Sequence, residues 1–176
     1  MLVAALAVGP AHAEEVPTKL GLLVMLKVLT YDTGFEGRVG KADFVVLVPY
    51  APNQTDAARS LVAAGLDLPI KSMVGRVLRF EQVPAAELES QLVARGAAAV
   101  LILGGSPFEQ AKQQASTATK HNRYAMTLDE GLVKAGIPIG VALNNGKAQL
   151  VLNVSAARAI KAEFGSAVLR VARIQQ

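Results

Sequence analysis

Ser106, Glu109 and His121 are the side chains whose types and spacing could carry chemistry in this sequence. A serine, a histidine and an acid brought together could form an acyl-transfer nucleophile. The stretch "LILGGSPFE" sets Gly104, Gly105 and Ser106 where an apolar run meets a helix start, and free N–H groups at such a place bind phosphate or other anions. It is neither a P-loop nor G-x-G-x-x-G, because the lysine and the third glycine are missing. Ser106 and Glu109 also read as an S-x-x-E capping box with Pro107 at the first helical position, so helix initiation alone accounts for them. Gly104, Gly105 and Ser106 stand as the candidate ligand contacts. His121, in "TKHNRY", needs a carboxylate or a nucleophile delivered by the fold before it can act. Asp129-Glu130 suit the first turn of a short helix. The basic residues Lys71, Arg76 and Arg79, and Lys112, Lys120 and Arg123, read as solvated charge. There is no Cys, and the histidines are His12 and His121, so disulfides, zinc–thiolate sites and cysteine nucleophiles are excluded. No catalytic residue, metal ligand or cofactor is expected, and the reading is of a non-enzyme.

These residues sit between elements of two periodicities. Pro17 to Tyr31 reads as a helix, followed by the Gly-rich loop "YDTGFEGRVGKAD". Phe44 to Pro49 has the continuous apolar character of a strand buried on both faces. Asn53 to Ala64 reads as a helix closed by Gly65 as its C′ residue. Ile70 to Phe80 is a second strand region that Gly75 bulges or breaks. Pro84 to Arg95 is a helix, Ala97 to Leu103 a third buried strand, and "GGSPFEQ" opens a helix running to Thr119. Arg123 to Thr127 is a short strand, and Leu128 to Ala135 a short helix stopped by Gly136. Ile139 to Asn153 is a hairpin whose Asn145-Gly146 fits a two-residue type I′ turn. Ser155 is a good N-cap for the helix from Ala156 to Phe164, while Asn153 can satisfy backbone groups where strand turns into helix. Ala167 to Arg173 adds a last helical segment. Alternating strands and helices predict an α/β fold in three layers, a mostly parallel sheet covered by helices on both faces, with a C-terminal antiparallel β-hairpin.

About half of the 176 residues are apolar and the mean hydropathy is +0.35, which supplies one domain with a core. The formal charge of +4 is spread along the chain, without the basic stripe or stacking aromatics that nucleic acid requires. Met1 to Ala13 reads as a secretory signal, with an apolar run and an Ala11-His12-Ala13 cleavage pattern but no basic n-region, as though the true start lies upstream. Residues 14–176 then form the single exported domain. No later apolar run is long enough to span a membrane. The first helix is apolar nearly all round. Leu20, Leu23, Val24, Lys27, Val28 and Tyr31 form one face, and Leu22, Met25, Leu26 and Leu29 form a second. Both faces can be clamped within the domain, or the second can meet a partner or a second copy, which makes Leu22, Met25, Leu26 and Leu29 the candidate interface.

The order of motifs from Leu101 to Ile174 resembles the end of the YfiR/HmsC-like family. Thr127-Leu128-Asp129 matches its helix start, and Gly136-Ile137-Pro138-Ile139 its Gly-rich strand entry, with Pro138 a departure. Asn145-Gly146-Lys147, Val151-Leu152-Asn153 and Val168-Leu169-Arg170-Val171-Ala172 match the turn, strand and last helix. "LKVLTY" and "AAAVLILGGS" fall in the same order, so the likeness covers nearly the whole domain. The resemblance implies a periplasmic regulator, often dimeric, that binds the sensor domain of a membrane-bound diguanylate cyclase and so controls cyclic di-GMP and biofilm formation. It carries no catalytic motif, and the absence of Cys rules out a redox-sensing version here. The residues alone leave an alternative open: a small-ligand module like one lobe of a periplasmic solute-binding protein, with the "GGSP" turn and the "YDTGFEG" loop as contacts at strand ends.

Overall fold

Residues 18–39, 42–144 and 147–175 are described by a computed structural model of the chain. The stretch 1–13 read as an export signal, Pro17, and Asn145-Gly146, expected to form a turn, lie outside these residues. Strand β1 (Phe44–Tyr50) is buried on both faces, as its unbroken apolar run requires. Phe44, Val46 and Val48 join one apolar cluster, while Val45 and Leu47 join another across the sheet.

The remaining strands are β2 (Ser72–Met73), β3 (Arg76–Pro84), β4 (Ala99–Ile102), β5 (Tyr124–Thr127), β6 (Ile139–Asn144), β7 (Lys147–Asn153) and β8 (Arg173–Gln175). Among the described residues they form one eight-stranded sheet in the order β2-β3-β1-β4-β5-β6-β7-β8. The central run from β3 to β6 is parallel, and β6 and β7 pair antiparallel in register from Ile139↔Leu152 to Asn144↔Lys147. The α/β class, the largely parallel sheet and the C-terminal antiparallel pair are therefore as expected.

Helices α1 (Thr18–Leu29), α2 (Phe35–Val39), α3 (Thr55–Leu66) and α6 (Val154–Ala159) pack on one face with Phe44, Leu101 and Met126. Helices α4 (Leu88–Ala94) and α5 (Phe108–Lys120), with the 3-10 turn Glu130–Ala135, cover the other face against Val100, Ile102 and Ala125. Helix α7 (Ser166–Val171) returns the chain to the edge strand β8, which pairs parallel with β7. Neither α2 nor β8 is foreseen in the sequence reading. Five and three residues respectively are too few to show a period, and their formation rests on packing.

Three local expectations are corrected. Gly65 lies inside α3, and Asp67 takes the C-cap. The glycine is there for closeness, since a Cβ at this position would stand 2.5 Å from Cγ of Phe80. Gly75 is neither a bulge nor a simple break: with Val74 it makes a hairpin turn between β2 and β3, both residues at positive φ (48° and 78°). The cap of α6 is Asn153, whose Oδ1 accepts the N–H of Ala156 at 2.9 Å, and Ser155 lies within the helix.

Candidate functional site

The chain leaves β1 through α3 to reach β3 on one side, and leaves β3 through α4 to reach β4 on the other. The strand order therefore switches between β1 and β4, and the crevice position outside their carboxyl ends is the usual ligand position in open α/β sheets. Three loops surround it. Gln54, in the 3-10 turn Pro52–Gln54, donates from Nε2 to Oγ of Ser106 at 3.1 Å, and its Oε1 accepts the N–H of Ala51 at 3.2 Å. Gln110 on α5 reaches the same Oε1 at 3.5 Å. Gly104 and Gly105 are exposed, and Ser106 is buried beneath them. Gly105 has φ +71°, which lets the loop turn tightly.

Asp129 closes the third side. Its Oδ1 accepts the N–H of Gly131 at 3.0 Å, and its Oδ2 accepts the N–H of Gly105 at 3.1 Å. Thr127 holds it in turn, as Oγ1 accepts the N–H of Asp129 at 3.1 Å. The structure thus brings Gly104, Gly105 and Ser106 together with Gln54 and Asp129, two residues the sequence reading did not single out for ligand binding. It also changes the chemistry of the place. An anion would need the Gly105 N–H, which already serves a carboxylate, and it would meet that negative charge. The crevice favours a ligand that is cationic or neutral where it faces Asp129. The capping box does not form: Pro107 occupies the N-cap of α5 without a side-chain bond, and Ser106 is spent on Gln54.

His121 follows α5 at its far end, and its Nε2 lies 2.9 Å from Oε1 of Glu89, which Lys120 also contacts at 2.6 Å. Those hydrogen bonds and charges, from Lys120 first, hold the exposed Glu89 carboxyl below its ordinary range. Thirteen helical residues, about 20 Å, separate this pair from Ser106, so the serine and the histidine do not meet.

The "YDTGFEG" loop lies at the amino ends of the strands, opposite the crevice. Oδ2 of Asp32 accepts the Tyr124 hydroxyl at 2.5 Å and Arg38 Nε and NH2 at 3.3 and 3.2 Å. Its Oδ1 accepts the N–H groups of Gly34 and Glu163 at 3.0 and 2.8 Å. Arg38 further donates to the carbonyls of Ile160 and Lys161 and to Asn122. Burial alone would push Asp32 up, but these donors and the Arg38 charge hold its carboxyl below the ordinary value. Burial and the neighbouring carboxylate together drive the Tyr124 phenol well above the usual tyrosine range. Because Asp32 is buried and each of its oxygens accepts more than one donor, this loop is a staple and not a ligand contact.

The candidate interface on α1 is also reversed. Leu22, Met25, Leu26 and Leu29 are buried in the domain's own core, so they are not a free face. Leu20 and Tyr31 are exposed and Leu23 and Val24 half-buried on the opposite face. Beside that face runs an apolar groove of about 530 Å³ lined by Leu23, Val24, Val28, Ile70, Met73 and Val74. Among the described residues, no helix is long and apolar enough to cross a membrane, and no group of three His, Asp or Glu side chains is placed to hold a metal.

The architecture is shared, as a fold, with domains of solved proteins that include substrate-binding proteins. No family model and no curated protein sequence matches this chain. Solved structures do. A conserved domain protein from Vibrio cholerae O1 biovar El Tor superposes with a TM-score of 0.61 at 14% identity, over 91% of this chain and 60% of that one. The ABC domain in complex with L-Trp from Streptococcus pneumoniae gives 0.58 at 11% identity, over 90% and 60%. A substrate-binding protein with adhesive properties from Clostridium difficile, in its ligand-free, open form, gives 0.62 at 11% identity, over 89% and 60%. The chain thus spans about 60% of the length of each, and at these identities the likeness is one of fold.

Proposed function

We propose that this chain is an exported, non-catalytic binding module that takes a small solute bearing an amino group at the crevice between β1 and β4. One observation carries the reading: Asp129 places a carboxylate, already anchored by Gly105 and Gly131, at the strand-order switch of a fold shared with substrate-binding domains. An ammonium group would pair with Asp129, and the amide of Gln54 and the open Gly104-Gly105 backbone would orient the rest of the molecule. The separation of Ser106 from His121 supports recognition over catalysis. The export signal read in Met1 to Ala13 supports a periplasmic setting. Titration of the isotope-labelled domain with L-tryptophan, other amino acids and simple amines tests this. Saturable shifts at residues 51–55, 104–106 and 127–131, weakened at least tenfold in Asp129→Asn, are expected. Carboxylates without an amine binding equally well would overturn it.

A second reading keeps the YfiR/HmsC-like resemblance: a regulator that docks on the periplasmic sensor domain of a membrane-bound diguanylate cyclase. The outward apolar face of α1, flanked by the 530 Å³ groove, favours it, because soluble domains rarely leave such a surface uncovered. A homodimer through the same face is the competing occupant. Val24→Asp should abolish capture of the sensor domain and change cellular cyclic di-GMP while leaving amine binding intact. Unchanged cyclic di-GMP in both the variant and a deletion strain would exclude this reading.

A further inference from the structure

The turn between β2 and β3 is built on an unfavourable residue. Val74 and Gly75 have φ 48° and 78°, as a two-residue type I′ turn requires. Glycine, asparagine and aspartate take this conformation readily, whereas a β-branched side chain at positive φ is an outlier. Burial does not offset the strain, since Val74 is 53% exposed. Strained positions of this kind cluster where a chain grips a ligand or a partner. Val74 forms part of the wall of the groove of about 530 Å³ beside α1. Half-buried Ile70 continues that wall, half-buried Leu23 and Val24 stand across from it on α1, and buried Leu26 and Met73 line the same space. The α1 side runs from Leu23 to Thr30, about 10 Å along the helix. The volume falls in the range of about 300–1,000 Å³ typical of small-molecule pockets. The polar lining is sparse and of one sign. Among the described residues Lys27 is the single charged group around the groove, beside the hydroxyls of Thr30 and Ser72. It is exposed, its Nζ lies 5.4 Å from the centroid of the Tyr31 ring, and it has no acidic partner among the described residues. Neither α1 nor the stretch 70–74 contains Asp or Glu.

We propose that this groove binds a free single-chain amphiphile with an anionic head, a medium-chain fatty acid in its simplest form. The alkyl chain lies between the hairpin wall of Ile70 and Val74 and the α1 wall of Leu23 and Val24, and the carboxylate pairs with Lys27 at the rim. A cationic head would meet Lys27 like for like, and a neutral head would forgo the pairing. No residue of the groove belongs to the crevice between β1 and β4. Val24 is common to the groove and to the α1 face on which a sensor domain would dock, so a bound chain would stand beside that partner's footprint.

The test is a titration of the isotope-labelled full chain with octanoate, decanoate, decanol and decyltrimethylammonium, each kept below micelle formation, following the backbone signals of residues 23–30 and 70–75. Saturable shifts with decanoate are expected, about tenfold tighter than with octanoate, because each buried methylene adds a factor of about four at most. Lys27→Met keeps the length of the side chain and removes its charge, so decanoate should weaken about three- to fivefold while decanol is unaffected. Val74→Asn suits the turn and removes the apolar wall, so it should raise Tm and weaken decanoate about tenfold. Decyltrimethylammonium binding as tightly as decanoate, or affinity indifferent to chain length, would overturn the proposal. So would Val74→Asn that binds decanoate like the wild type, or that melts below it, since the valine then serves the fold alone. A chain that sediments as a dimer without decanoate shifts has the groove covered by a second copy. One that binds phosphatidylglycerol vesicles but not decanoate lays this face on a membrane, and either result refutes a free amphiphile. Capture of the sensor domain is a separate readout, so this proposal and the second reading can each fail alone.

Discussion

Removing the Asp32 carboxylate would strand Arg38, whose guanidinium is buried against it. Breaking a buried ion pair from one side costs about 3–5 kcal/mol, a large share of the roughly 5–15 kcal/mol that holds a domain folded, so Asp32→Asn should lower the urea midpoint strongly. Tyr124→Phe keeps the ring stacked near Phe35 and loses only the hydroxyl bond to a charged acceptor, at about 1.5–3 kcal/mol. The same site sets an acid limit. The folded carboxyl is depressed below its ordinary value of 3.8. As the pH falls, the unfolded chain therefore binds the proton first, and protonation favours unfolding. The stabilisation is complete above that ordinary value and disappears as the pH drops through the lower folded-state value. Urea unfolding measured from neutral pH to below 3 should show this slope in the wild type and a smaller one in Asp32→Asn. None of this is visible in "YDTGFEG" as a string. The partners of Asp32 come from residues 124 and 163, so the sequence shows a polar loop and hides the staple.

At the scale of elements, α1 divides cleanly by face. Leu22→Ala empties a core position and should cost about 2–5 kcal/mol. Leu23→Ala, on the half-exposed face, should change stability by less than about 1 kcal/mol. Thermal denaturation of the pair checks the assignment, and a reversed order would move the core to the other face. The helix itself was legible, because its apolar residues recur at helical spacing. Which face turns inward was not: both stripes are greasy, and only the position of the sheet chooses between them. Gly65 makes a second test. Alanine there gains up to about 1 kcal/mol of helix propensity, but its Cβ would collide with the Phe80 ring. Overpacking of this kind costs about 1–3 kcal/mol. Gly65→Ala should therefore be destabilising, and much less so in a Phe80→Leu background, where the flat ring is gone. As an isolated residue near the end of an apolar run Gly65 looks like a stop signal, since closeness to β3 leaves no local trace.

Among the described residues the two larger apolar clusters lie on either side of one sheet and share the strands β1, β3, β4 and β5, with a small third cluster of Val133, Ala142 and Val151. Neither helix layer can leave without exposing strands that the other also needs. Urea unfolding followed by far-UV circular dichroism and by tyrosine fluorescence should therefore give coincident single transitions. Separated curves would show the layers to be independent units. Ligand binding belongs to this scale as well. A solute at the crevice stabilises the native state in proportion to the logarithm of its concentration over Kd, so the amines that shift residues 104–106 should also raise Tm.

The main alternation of strands and helices, apart from α2, β8 and the split of β2 from β3, together with the α/β class, the closing hairpin and the lack of cysteine chemistry, was settled by the sequence alone, because periodicity, turn residues and composition are local quantities. The tertiary structure decided what those elements bring together. It set Asp129 against Gly105 and Gln54 against Ser106, and it buried Asp32 between Arg38 and Tyr124. It also buried the Gln114 amide without a hydrogen-bond partner among the described residues. Each of these depends on residues separated by many positions in the chain, whose meeting is fixed by strand order and helix packing, and no window of sequence contains that information.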